Sequence, residues 1–223
     1  MKRIIWIWLV ALVLQMGIFI ESHGTQQKRS AIQGAELGAE LQDSLLNFQF
    51  TQEARKKAEL KKHILEMIDK AKGDDQALTY VDEVTELPLI TPAIATRDLE
   101  IVSNLVSQPE LVGSTTSEEF SKAAFHCLPL KSFDVLAFLI RETPVDLNFS
   151  KRIDAGRKVL ANEIARRVPF DQIEVFDALL ARQDWDPYFP DSNGSTFLNE
   201  LLNNEFSQDF KEVLFKVLDQ ERF

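Results

Sequence analysis

The chain has 223 residues, enough for one medium-sized domain with an appendage, and 45% hydrophobic with 27% charged residues is a globular balance. The formal net charge of −10 falls mostly on the C-terminal half: residues 98–223 hold 22 acidic and 13 basic side chains, residues 1–97 hold 13 and 12. An acidic half excludes a general nucleic-acid binder, which needs cations to displace phosphate counterions, and a single cysteine excludes an intramolecular disulfide and a multi-cysteine metal site.

Lys2 and Arg3 precede an uncharged run from Ile4 to Ile20. Positive residues hold the N-terminus on the cytoplasmic side while the apolar run enters the bilayer. Its 17 residues exceed the usual signal-peptide core of about 7–15 and meet the lower limit of a span, about 17–25. Two outcomes follow. Cleavage after Gly24, with Ser22 and Gly24 as the small flanking residues, releases a periplasmic or secreted protein. Without cleavage, residues 4–20 are a membrane anchor with the bulk of the chain outside the cytoplasm.

Gln26 to Ser30 is a polar, basic tether. Leu37, Leu41, Leu45 and Phe48 then recur at helical spacing. A second amphipathic helix is expected over 51–72, with Thr51 capping its start, Leu60, Ile64 and Ile68 as its stripe, and Gly73 as its stop. It carries Arg55, Lys56, Lys57, Lys61 and Lys62, the densest basic cluster of the chain. The cluster reads either as a patch for anionic lipid or as a solvated face, since Glu53, Glu59 and Glu66 stand four residues before Lys57, His63 and Lys70.

Residues 74–86 are acidic and weakly patterned, a linker that Pro88 and Pro92 close. The expected domains are therefore a signal or anchor at 1–24, an amphipathic helical segment at 25–73, the linker at 74–86, and a repeat region at 87–223.

The repeat region shows itself as a returning helix. Ile101-Val102 with Leu105-Val106 matches Val135-Leu136 with Leu139-Ile140, then Val175-Phe176 with Leu179-Leu180, then Val213-Leu214 with Val217-Leu218. The first residues of the blocks are 34, 40 and 38 apart, and each block follows an acidic residue. Apolar positions i, i+1, i+4 and i+5 make one broad stripe that a stacked neighbour must cover, so a period of this size predicts an α-solenoid. Between blocks, Val145-Asp146-Leu147-Asn148 leads through Asp154 to Gly156, and Trp185-Asp186-Pro187 leads through Asp191 to Gly194, Thr196 and Leu198.

Those residues resemble the ankyrin-repeat family. Asp186-Pro187, Asp191, Gly194, Thr196 and Leu198 match its hairpin and first-helix signature, and Thr91-Pro92 resembles the same helix start in a shortened first unit. The likeness covers about four units over 87–223 and implies an all-α, ankyrin-like helical repeat with paired helices, projecting loops, and partners held on loop tips and inner helices. The chain departs from the family in three ways: the usual His after Thr-Pro-Leu and the Gly between paired helices are missing, and the spacings of 40 and 38 exceed the family's usual period of about 33. Arg166-Arg167-Val168-Pro169 and Asn203-Asn204 stand where that Gly would be. Within the matching signature, Gly194 is expected to supply a free backbone at the turn, and Thr196 to cap the helix after it.

No motif for catalysis stands out. Gly34-Ala-Glu-Leu-Gly38 lacks the third Gly of a phosphate loop, and His23, His63 and His126 are too scattered for metal ligation. The expectation is a non-catalytic protein with no cofactor, metal or small-molecule substrate, whose partner is another protein. Trp185 and Tyr188 sit where a repeat would project, and each either anchors a partner or packs beneath the next helix pair. Asp154, Arg157, Asp191 and Asn193 flank the same loops. Lys151, Arg152, Arg157 and Lys158 form a local basic loop, and Asn148-Phe149-Ser150 and Asn193-Gly194-Ser195 are glycosylation sequons. Cys127, beside Ala123, Ala124, Phe125 and Leu128, reads as a small buried apolar residue.

Overall fold

The computed structural model describes residues 31–81, 88–153, 156–203, 213 and 216. The apolar run 4–20, the tether after it and Asp154 lie outside them. Among the described residues no helix is long and apolar enough to cross a membrane. These described residues are mostly helical, with one small hairpin as their regular β-structure.

Helix α1 covers 31–50 and buries Leu41, Leu45 and Phe48 of the expected stripe, with Leu37 partly buried beside them. Two of its glycines are needed for close approach. A Cβ on Gly38 would meet the Tyr80 Cβ at 2.5 Å and the Ala77 carbonyl oxygen at 2.7 Å, and one on Gly34 would meet the Asp74 carboxylate at 2.5 Å. The pair therefore seats α1 directly on α3 (Asp75–Leu78), whose Gln76 and Ala77 N–H groups donate to that same Asp74 carboxylate.

Helix α2 (Ala54–Ala71) buries Ile64, Met67, Ile68 and Ala71. Thr51 does not cap it. The residue before α2 is Glu53, whose side chain makes no capping bond, while the Thr51 hydroxyl donates to the Asn47 carbonyl at 2.8 Å. Thr51 thus closes α1, because a hydroxyl after a helix finds orphan carbonyls one turn back. Gly73, at φ +79°, ends α2 as expected. The stretch expected as a linker contains α3, with Ala77 and Leu78 buried, and Val81 bridges to Pro88.

Among the described residues, eight helices and one hairpin follow. They are α4 (Ile90–Ala95), α5 (Leu99–Val106), α6 (Pro109–Ser114), α7 (Ser117–Leu130), α8 (Phe133–Glu142), β1 (Ser150–Ile153), β2 (Gly156–Val159), α9 (Leu160–Arg167), α10 (Ile173–Ala181) and α11 (Phe197–Asn203). Helix α4 packs on α7, α7 on α9, and α9 on α11; in a second row α5 packs on α8 and α8 on α10. All the described members of the four apolar blocks are buried, from Ile101 through Val135 and Val175 to Val213. Burial of such large aliphatic side chains contributes about 1.5–3 kcal/mol each, so the stripes are what hold the rows together.

The turn between the helices of each of the first two pairs repeats as well. Arg97 and Lys131 both adopt the left-handed conformation, at φ +56° and +54°, and each stands four residues before its block. Lys131 closes α7, its N–H donating to the Leu128 carbonyl at 3.2 Å. The position that favours glycine is thus occupied by two long cations.

Helix α2 packs on α5, and α3 on α6. One continuous core runs from Leu41 to Val213, across the expected boundary at 74–86. Lys61 fixes the junction: its ammonium lies 2.8 Å from Asp98 and 2.7 Å from Glu100. Asp98 is also the cap of α5, accepting from the Glu100 and Ile101 N–H groups.

Candidate interaction surface

The segments that enter α9 and α11 are built alike. Asp146 accepts from the Asn148 N–H at 2.9 Å and Asp186 from the Tyr188 N–H at 2.8 Å; the Phe149 and Phe189 N–H groups donate to the Asp146 and Asp186 carbonyls, both at 3.1 Å. Each aspartate folds a turn that a side-chain oxygen completes, and the two turns lie forty residues apart.

After the first turn, β1 and β2 pair antiparallel, with Lys151 opposite Lys158 and Arg152 opposite Arg157. After the second, the chain runs alongside β2. The Ser192 N–H donates to the Arg157 carbonyl at 3.1 Å, and the Arg157 N–H donates to the Ser192 hydroxyl at 3.0 Å. Gly156 permits this approach, since a Cβ there would meet the Ser192 Oγ at 2.7 Å. Nearer the helices, the Asp186 N–H donates to the Asn148 Oδ1 at 3.0 Å. Two successive segments therefore form one hydrogen-bonded ledge beside the row α7, α9 and α11.

A charged cluster holds the ledge to the helices. The buried Asp191 accepts from the Asn193 and Ser195 N–H groups at 2.8 and 3.1 Å, and its other oxygen lies 3.7 Å from both Lys158 and Arg166. Asn162, buried on α9, donates to the Ser195 carbonyl at 2.7 Å. Arg166 donates to Glu200 of α11 at 2.9 Å and also bonds Glu163, whose second oxygen pairs with Arg167 at 2.6 Å. The Glu200 bond raises the Arg166 guanidinium above its ordinary value against the opposing effect of burial. Reciprocally, Arg166 holds the Glu200 carboxyl below the ordinary carboxylate range.

The expected binding residues divide on this frame. Tyr188, Arg157 and Asn193 are exposed, with Tyr188 at 49% and the Arg157 guanidinium 5.8 Å from the Phe189 ring centre. Trp185 is not a projecting anchor: it is 5% exposed, stacks edge-on to Phe197 at 5.2 Å, and donates its indole N–H to the Arg182 carbonyl. An aromatic with its polar edge satisfied gains more from the core than from solvent. Asp191 is likewise withdrawn, as the cap of its own turn. Gly194 adopts φ +77°, and Thr196 caps α11 with Asn199 as its reciprocal partner.

The basic cluster of α2 is engaged in several ways. Arg55 pairs with Glu59 at 3.0 Å, Lys56 with Glu53 at 2.7 Å and Lys62 with Glu66 at 3.7 Å, all on the exposed face, where such pairs contribute little. Lys57 lies 4.7 Å above the Phe48 ring. Lys61 is committed to the α2–α5 junction. Burial lowers its pKa, but the carboxylates of Asp98 and Glu100 outweigh that and leave it raised. Beside it an open groove of about 480 Å³ is lined by Lys61, Lys62, Glu66, Asp69 and Glu100, among others. Among the described residues no group of three His, Cys, Asp or Glu side chains is placed to hold a metal ion. The Cys127 thiol is fully buried and pushed up by that burial, and by Asp134, so it is an inert core group.

Sequence reasoning missed the partners that join the ledge. Asn148 and Ser192 bind backbone groups 38 and 35 residues away, and a lone Asn or Ser in a loop carries no signal of that. Comparison with protein-family models, with characterised proteins and with solved structures finds no match to the chain.

Proposed function

We propose that this is a non-catalytic, ankyrin-like helical-repeat protein that binds another protein on the ledge, as a scaffold or inhibitor. In this reading the helix rows are the stacked first and second helices of four units, and the apolar run 4–20 delivers the domain across a membrane or tethers it there. The observation that carries it is the joining of two successive loop segments by Arg157–Ser192 and Asp186–Asn148 bonds. That arrangement sets exposed Tyr188, Arg157 and Asn193 on a rigid frame, and preorganised polar and aromatic groups are what a protein-binding surface needs. The departures from the family are compatible with it, because Arg97 and Lys131 take up the left-handed turns that glycine would otherwise make.

Photocrosslinking tests the reading. A photoreactive amino acid in place of Tyr188, in the full chain in its native cells, is expected to trap a discrete protein adduct, and the same probe at Lys56 is not. Adducts from Lys56 alone, or lipid adducts in place of protein, would contradict it.

A further inference from the structure

The hairpin of the ledge carries charge that the other described residues leave largely unpaired. In an antiparallel pair, like charges directly opposite one another are destabilising, yet Lys151 faces Lys158 and Arg152 faces Arg157. Lys158 has a carboxylate nearby in Asp191, at 3.7 Å. Among the described residues, none of Lys151, Arg152 and Arg157 has a carboxylate within ion-pair distance. On α7, burial lowers the pKa of His126, and the Lys151 charge reaches it to add to that effect. In a chain of net charge −10 this is a concentrated positive site.

The same hairpin has an open edge. The Arg157 N–H and carbonyl bond Ser192, outside the hairpin, so Arg152 and Arg157 are a pair without mutual hydrogen bonds. The Arg152 N–H and carbonyl therefore point outward on the opposite side, from β1. Among the described residues no backbone bond reaches them, and Arg152 is exposed. Cations on such an edge repel a second copy of the same edge. An extended strand carrying carboxylates meets the opposite situation: its backbone completes the ladder and its charges relieve the cross-strand repulsion.

We infer that the outer edge of β1, with Lys151, Arg152 and Arg157, takes an extended acidic segment of a protein partner as an added strand. The inference rests on the protein-binding reading above and names the partner chemistry. A polypeptide fits better than a nucleic acid or an anionic membrane, because the open groups are backbone donors and acceptors in strand register and the surrounding domain is acidic. A long polyanion would meet repulsion beyond the hairpin.

The test uses the full chain and a fluorescent peptide of about ten residues alternating Glu with Thr and Val, long enough to span β1. Fluorescence anisotropy is expected to show salt-sensitive binding that weakens by on the order of tenfold in Arg152→Glu and in Arg152→Gln/Arg157→Gln. It is also expected to weaken when Pro replaces the alternate residues of the peptide, because Pro removes the ladder donors. Lys56→Glu/Lys62→Glu is expected to bind as the parent does. Arg152→Glu places a carboxylate opposite Arg157, so its Tm should equal or exceed the parent's, separating lost binding from lost folding.

Equal binding by Arg152→Glu, by a peptide with Lys in place of Glu, or by the Pro-substituted peptide would overturn the inference. So would tighter binding of single-stranded DNA or anionic vesicles through the same arginines. If the Glu peptide does not bind while Tyr188 still crosslinks a protein, the acidic-strand inference fails and the protein-binding reading stands.

Discussion

Single residues decide how the helix pairs turn and how the ledge is held. Arg97 and Lys131 occupy left-handed turns at φ +56° and +54°, where a Cβ costs roughly 1 kcal/mol that glycine does not. Arg97→Gly and Lys131→Gly are each expected to raise stability by about 0.5–1 kcal/mol, measured as a higher urea midpoint with unchanged slope. Arg166 is the opposite case. It bridges Glu163 and Glu200, with Asp191 nearby, and removing it leaves buried carboxylates uncompensated. Arg166→Met is expected to cost about 2–3 kcal/mol, less than the roughly 3–5 of a fully buried pair because Arg166 is partly exposed.

The acid limb follows from Glu200. Its folded pKa lies below its unfolded value, so its contribution is fully present above the ordinary carboxylate range. That contribution is lost as pH falls through the lowered folded value. Glu200→Gln should therefore lower stability at neutral pH and flatten the acid dependence, as seen in urea titrations at stepped pH. If the dependence is unchanged, Glu200 is not the group that titrates.

At the scale of elements, the close seat of α1 on α3 is the feature most open to test. Gly38→Ala places a methyl group 2.5 Å from the Tyr80 Cβ and 2.7 Å from a backbone oxygen, an overpacking expected to cost about 1–3 kcal/mol. Gly113→Ala in α6 has nothing within 4 Å and should be neutral or stabilising by up to about 1 kcal/mol, since the methyl only restricts the unfolded chain.

The apolar blocks were legible because positions i, i+1, i+4 and i+5 force one face inward whatever covers it, and Ile101, Val135, Val175 and Val213 are all buried. Gly34 and Gly38 were legible only as a failed phosphate loop, since what a glycine approaches is set by a distant element. For Trp185 the sequence leaves a projecting anchor and a packed ring equally open, because it lies in a loop. A loop position does not fix burial, and Phe197 from the next helix closes over the indole. The bonds that join the ledge use backbone donors, which have no side-chain signature. The lone charges of the hairpin were visible in sequence, but their cross-strand register was not.

For the whole molecule, the continuous core from α1 to Val213 predicts one cooperative unit rather than a tethered helix beside an independent domain. Cys127 provides a built-in probe, being fully buried. Its reactivity toward a thiol reagent should appear at the same denaturant concentration as the loss of helical circular dichroism. Thiol exposure well before that loss would mean that the rows open separately.

The proposed binding face is the ledge, and not the basic face of α2. The most direct measurement is calorimetric titration of the full chain with the partner trapped at Tyr188, comparing Tyr188→Ala/Arg157→Ala with Lys56→Ala/Lys62→Ala. Loss of on the order of tenfold or more in affinity for the ledge pair, with the α2 pair unchanged, is the predicted result. Unchanged affinity for the ledge pair, with loss on the α2 face, would contradict it.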